Sequence, residues 1–112
     1  MKRGDVVHGK VPEFSDIKHY FIVVHSRRDS FCLLPITSEE DKWDYCFKGD
    51  CIDIDKIKIE EGEVTLKNKT SYLFLGLFAK KKDCCSDTDF KASDRLLNKL
   101  RDLNIDILND RI

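Results

Sequence analysis

The side chains with chemistry to offer are unevenly spread along this chain. Lys18 and His19 stand just ahead of an apolar run, Phe21-Ile22-Val23-Val24, and Pro35-Ile36-Thr37-Ser38 closes a second, Phe31-Cys32-Leu33-Leu34. Hydroxyls at a strand end either meet solvent and ligand at the margin of a sheet or bond local backbone in an ordinary turn. An imidazole titrates near neutral pH, so His19 can carry a proton, as can His8 and His25 with weaker claims; each also suits the polar face or edge of a strand. Arg27, Arg28 and Asp29 separate the two runs, and Lys80-Lys81-Lys82 follow the most apolar stretch. Such short clusters contact phosphate or simply solvate a turn. Trp43 and Tyr45 offer rings on which unpaired bases stack, or surfaces for burial or a subunit contact.

The five cysteines are an odd number without framework spacing. Reduced thiols follow from that pattern in a chain large enough to fold without staples. Cys46, Cys51, Cys84 and Cys85 are four thiols that could gather around zinc, but neither half has the short paired spacing, and adjacent cysteines are awkward ligands for one tetrahedral ion. No metal site is expected. Cys32 is read as a small core hydrophobe.

These groups need elements to position them. With 112 residues, 41% apolar and 37% charged, the chain suits one domain with a single modest core, and a formal charge of −1 leaves any nucleic-acid site as a local patch. A first strand is expected over Asp5–Val11, ended by Pro12. The runs 21–24 and 31–34 read as a β-hairpin, with Pro35 ending its second strand because it has no amide hydrogen to give. Alternation over Cys51–Ile54 and Ile57–Ile59 predicts half-buried strands, Glu61-Gly62-Glu63 a turn, and Val64–Leu66 a further short strand. Glu39 to Trp43 reads as an exposed acidic segment. Tyr72–Phe78 reads as a central strand with a bulge at Gly76, after which Lys80 to Lys82 return to solvent. From Ser93 the period becomes helical: Leu96, Leu97, Leu100, Leu103 and Ile107 share a face, Ser93 suits the N-cap, and the helix is expected over about 94–103. The expected architecture is mainly β with a C-terminal helix, a bent sheet or barrel over about 1–83 covered by the leucine face. No secretory signal is apparent and the longest apolar run is far too short for a membrane span, so an intracellular, cytoplasmic protein is expected.

The opening Arg3-Gly4-Asp5-Val6-Val7, the strand Phe21-Ile22-Val23-Val24, the ending Pro35-Ile36-Thr37-Ser38 and a final amphipathic helix occur in that order. The set resembles the MazF/PemK (Kid) family of toxin endoribonucleases from bacterial toxin–antitoxin systems, over roughly the first third of the chain. The resemblance implies an SH3-like barrel that forms a homodimer and cleaves single-stranded RNA without metal or cofactor. Attack would come from the 2′-hydroxyl, and an antitoxin protein would inhibit. It further implies that Thr37 matches the family's catalytic threonine, with Ser38 beside it, and that the family's arginine position falls on Lys18 or His19. His19 would then move a proton and Lys18 balance phosphate charge. Ser38, Arg27, Arg28, Lys80 and Lys81 would contact RNA. The family's Asp-Gln-Ile-Arg-type segment is replaced here by Leu75-Gly76-Leu77-Phe78. A catalytically silent barrel that binds RNA, a peptide or a protein therefore stands as the alternative, and reuse of the fold by a phage or mobile element as a third.

Overall fold

Two adjacent valines, Val6 and Val7, blur the alternation of the first strand because the sheet is covered on both faces. In the computed structural model of the chain, residues 2–12, 17–37, 43–47, 50–54, 56–60, 62–64, 71–75 and 78–103 are described. Val6 and Val7 are both fully buried and belong to different clusters. The first strand, β1 (Asp5–Gly9), pairs antiparallel with β2 (His19–Ser26), which pairs with β3 (Ser30–Thr37). One face of these strands carries Val6, Ile22, Leu34 and Ile36; the other carries Val7, Phe21, Val23 and Leu33. Burial on both sides is why the two hairpin strands read as continuous apolar runs rather than as alternation. The hairpin closes as expected through Arg27-Arg28-Asp29-Ser30, with the Arg27 amide donating to the Ser30 carbonyl at 2.8 Å.

The remaining strands are β4 (Trp43–Phe47), β5 (Asp50–Ile54), β6 (Lys56–Ile59), β7 (Ser71–Phe74), β8 (Phe78–Lys81) and β9 (Cys85–Lys91). Among the described residues, β4 and β5 pair only with each other. The other seven form one antiparallel sheet in the order β6-β7-β3-β2-β1-β9, with β8 also on β3. The expected central strand over Tyr72–Phe78 is therefore split in two. Between the pairs Ile36↔Leu73 and Leu33↔Phe78, three steps along β3 face five along the other chain, so two extra residues are accommodated there. Gly76, where a bulge is expected, lies outside the described residues.

Pro35 does not end its strand. It sits within β3 opposite Phe21, and the ladder on β3's other side is interrupted at Leu34 and Pro35, between the β8 and β7 pairings. An imino nitrogen is tolerated where no partner asks for a hydrogen. Lys80 and Lys81 likewise belong to β8, opposite Phe31 and Ser30, rather than to a turn. Of the exposed segment expected over Glu39–Trp43, residues 39–42 lie outside the described residues, and Trp43 begins β4. Val64 makes a single bridge to Ala92, and the rest of the short strand expected there lies outside the described residues.

Strand β9 had no counterpart in the sequence reading. It is a polar edge strand whose register slips beside β1, where two steps from Asp5 to Val7 face four from Lys91 to Asp87. The Thr88 hydroxyl donates to the Val6 carbonyl and accepts from the Phe90 amide, which fixes the bulge. Between β8 and β9 lies only the three-residue 3-10 turn Lys82–Cys84. In a flat sheet those strands would sit four spacings apart, and their joined ends would be offset by the length of β2, a total of about 30 Å. Four Cα steps reach about 15 Å at most. The sheet must be strongly curled, although among the described residues no hydrogen-bonded ladder joins β8 to β9.

The helix α1 (Asp94–Asp102) forms where helical periodicity begins, and the Ser93 hydroxyl accepts from the Leu96 amide at 3.2 Å, as an N-cap should. Leu96 and Leu100 are fully buried against the Val6, Ile22 and Leu34 face, each worth roughly 1.5–3 kcal/mol. Leu103 was expected on that face. It is 47% exposed, because it is the C-cap, one residue past the helix whose periodicity would have carried it inward. Ile107 lies outside the described residues. Gly4, within the charged opening, adopts φ +91°, donates to the Val23 carbonyl at 2.7 Å and accepts from the Ala92 amide at 2.8 Å. Its lack of a side chain leaves room for Leu97. No helix among the described residues is long and apolar enough to cross a membrane.

Candidate functional site

Cross-strand register decides which of the candidate side chains meet, because directly opposed residues share a face and lie about 4.5–5.5 Å apart at Cα. Gly9 is opposite Cys85 on one side and His19 on the other, and Thr37 is opposite Tyr72, which is opposite Lys58. The β2–β3 register runs to Tyr20↔Ile36. One further step brings His19 opposite Thr37. A single row therefore crosses the sheet at its open end: Cys85, Gly9, His19, Thr37, Tyr72 and Lys58. By alternation it lies on the face away from α1, since Ile36 and Tyr20 pack on the helix side.

The row joins His19 and Thr37, two of the three residues to which the resemblance gives catalytic roles; the third, Lys18, is exposed and immediately precedes His19. Thr37 is 5% exposed rather than open at a rim, because β3 continues through Pro35 and carries it into the paired region. His19 is half-buried with its Nε2 shielded from solvent. Lys58 is exposed and Tyr72 half-buried. Sequence reading passed over both of these. Tyr72 was absorbed into an apolar run, and Lys58 into a strand defined by its isoleucine neighbours; only register shows that they continue the line of Thr37.

The other histidines do not join. His8 is on the helix side, its ring 4.5 Å from that of Tyr20, which in turn meets Phe90 edge-on at 5.6 Å. His25 lies near the far end of β2. Nor do the cations expected to bind RNA. Arg27 and Arg28 are exposed in the hairpin turn, and Lys80 and Lys81 stand beside it on β8, with the Lys82 amide donating to the Asp29 carbonyl at 3.3 Å. From His19 to Ser26 is seven residues, about 24 Å along β2, so Arg27 and Arg28 lie past the end of that strand away from His19, while Lys81 is four residues from Cys85 through the 3-10 turn. Ser38 lies outside the described residues, as do Gly76 and Leu77. Trp43 and Tyr45 take register positions opposite Ile54 and Ile52 in β4–β5.

Two buried carboxylates were also passed over. Glu63 is 1% exposed; its Oε1 accepts from the Glu60 amide at 2.7 Å and from Lys99 Nζ at 3.1 Å, and Arg95 stands 3.8 Å from Oε2. Burial pushes its acidity down, but Lys99, the Glu60 amide and Arg95 outweigh that and hold the carboxyl below its ordinary range. The Glu63 carbonyl meanwhile accepts from the Ser93 amide at 2.7 Å. Asp5 is held down in the same way against its own burial, by Lys91 at 2.8 Å and the Lys2 amide at 3.0 Å. Both acids brace the contact between the sheet and the segment entering α1, and neither belongs to the row. Among the described residues no group of three or more histidine, cysteine and acidic side chains is placed to hold a metal ion. Compared with protein-family models, with curated proteins and with solved structures, the chain matches none.

Proposed function

We propose that the chain is a MazF/PemK-like endoribonuclease of the toxin type, with an SH3-like barrel, and that the row through His19 and Thr37 is its RNA-cleaving site. The observation that carries this reading is the juxtaposition of the two motif-bearing strands: β2 begins and β3 ends side by side, and continuing the register one step past Tyr20↔Ile36 sets His19 opposite Thr37. The barrel is supported by the curl that the three-residue turn between β8 and β9 imposes on the strand order β9-β1-β2-β3-β8.

Cleavage of an RNA strand by its own 2′-hydroxyl needs a base for that proton, a donor for the leaving oxygen and positive charge near the phosphate. In the proposed site His19 takes the proton and the Thr37 hydroxyl donates to a phosphate oxygen. Tyr72 offers a phenolic donor, Lys18 supplies charge from beside His19, and Lys58 from the end of the row beyond Tyr72. Lys58 gives the row a cation that the stretch Leu75-Gly76-Leu77-Phe78 does not supply. No metal or cofactor enters this scheme. A homodimer, an antitoxin partner and a cytoplasmic location complete the proposal.

A second reading, a catalytically silent barrel that binds RNA or a protein, is favoured by the burial of Thr37 and by the uncharged stretch at Leu75 to Phe78. The two separate on one experiment. Wild type and His19→Gln are induced in cells and the RNA ends mapped, with purified protein assayed with and without chelator. Chelator-resistant cuts that fall by about 10²–10⁴-fold in His19→Gln support the nuclease. Equal growth and no new RNA ends with wild type leave the binding module.

A further inference from the structure

At the end of the row opposite Lys58, the chain turns from the 3-10 segment into β9 at Cys84-Cys85. The Cys84 thiol donates to the Cys85 sulfur, and the two sulfurs are 3.4 Å apart. Cys84 is half-buried; Cys85 is 8% exposed and packs with Val7, Phe21 and Phe74. Gly9 makes this placement possible. A Cβ on Gly9 would stand 2.6 Å from the Cys84 carbonyl oxygen and 2.7 Å from the Cys85 sulfur, so the pair is pressed into space that only glycine leaves open.

We propose that Cys84 and Cys85 form a dithiol binding site for a trivalent, thiol-seeking metalloid, of the arsenic(III) class. Bite distance selects this class. With bonds of about 2.3 Å, the length of a zinc–thiolate bond, a linear two-coordinate ion would need sulfurs about 4.6 Å apart, and a pyramidal centre with angles near 95° needs them about 3.4 Å apart. A tetrahedral ion would also need two further ligands, and among the described residues none complete such a set. A trivalent metalloid asks the protein for two sulfurs only and keeps its third substituent. The reaction balances without an oxidant: an organoarsenic(III) oxide and two thiols give two arsenic–sulfur bonds, and the arsenic oxygen leaves as water with both thiol protons. Cys84 is the sulfur that faces approach, and Cys85 closes the ring. Burial pushes the Cys85 thiol up to about 12, so it stays protonated and is slow in thiolate chemistry such as alkylation, while the metalloid exchange releases its proton as water.

The test uses the full chain, reduced, with phenylarsine oxide as the probe and intact mass as the readout. One adduct per chain is expected, with loss of one water, resistant to excess 2-mercaptoethanol and removed by 2,3-dimercaptopropanol. Cys84→Ser and Cys85→Ser should each lose it. The Cys46→Ser/Cys51→Ser double variant should keep it, a needed control because those cysteines stand opposite each other in β4–β5. Circular dichroism checks folding, and if Cys85→Ser fails to fold, Cys84→Ser decides. An adduct that survives in Cys84→Ser, disappears in the double variant, or yields to the monothiol overturns the proposal. None of these outcomes depends on RNA cleavage.

Discussion

At the tip of the β2–β3 hairpin, Arg27 and Arg28 stand in solvent beside the β8 lysines, whereas at its open end Thr37 is 5% exposed and His19 half-buried. Polar side chains are thus carried by both ends of one hairpin under opposite conditions. At the tip, exposed charges such as Arg28 and Lys81 keep contact with water and are screened by salt. At the open end each polar group sits in a paired row, where its position is set by the strands on either side. Geometry that catalysis requires can be held only at the second kind of place, while long-range attraction for an anionic polymer needs only the first.

The sharpest way to break the comparison is at Gly9. Gly9→Ala drives a methyl into the Cys84 carbonyl and the Cys85 sulfur, and backbone atoms rather than a flexible side chain must give way. A loss of about 3 kcal/mol is expected by urea unfolding, from overpacking at a closed site. Gly62→Ala serves as its counterpart. There nothing lies within 4 Å and only φ +83° resists a side chain, so a loss of about 1 kcal/mol is expected. If the two variants cost the same, the open end is not the tightly packed row described.

The hairpin, β1, β5, β6 and the capped helix were legible because their apolar residues recur at strand or helix period, and because Ser93 and Asp94 announce a helix start. The row was half legible. Thr37 and His19 stood out by motif, but Tyr72 and Lys58 join them only through pairing between strands far apart in sequence, and no local pattern encodes register. Strand β9 escaped for a related reason. Its bulge at Thr88 breaks the alternation, and as an edge strand it needs few apolar residues, so Cys85 and Phe90 fall out of phase. Glu63 looked like one more charge in a turn, since its burial is created by α1 folding back over it with Lys99.

Glu63 calibrates the effect of burial alone, since it is enclosed without belonging to the row. Its carboxyl is held below the ordinary 4.5 in the folded chain and returns to that value on unfolding. Between those values the unfolded chain binds the extra proton. The contribution of Glu63 is therefore complete above 4.5 and lost as pH falls through the lower folded value. Glu63→Gln should cost about 1–2 kcal/mol at neutral pH, discounted because Lys99 and Arg95 keep water contact, and wild type and variant should converge on acidification. Unfolding curves at neutral and acidic pH check this. A gap that widens as pH falls would mean that the ion pair contributes nothing.

Arg28→Ala has the smallest expected effect on the fold and so isolates what the tip does. Arg28 is exposed and sits in the turn, so a stability change within about 0.5 kcal/mol is expected. Its effect on single-stranded RNA should be of another kind. A phosphate contact at the tip would be lost without changing sequence preference, and the dependence of affinity on salt would become shallower by roughly one counterion. Filter binding or fluorescence anisotropy over a range of salt measures that slope. An unchanged slope in Arg28→Ala, together with a lower slope in Lys58→Ala, would assign RNA contact to the open end alone and leave the hairpin tip as a solvated turn. The reverse pattern would make the tip the docking pole and weaken the case that the row through Thr37 touches RNA.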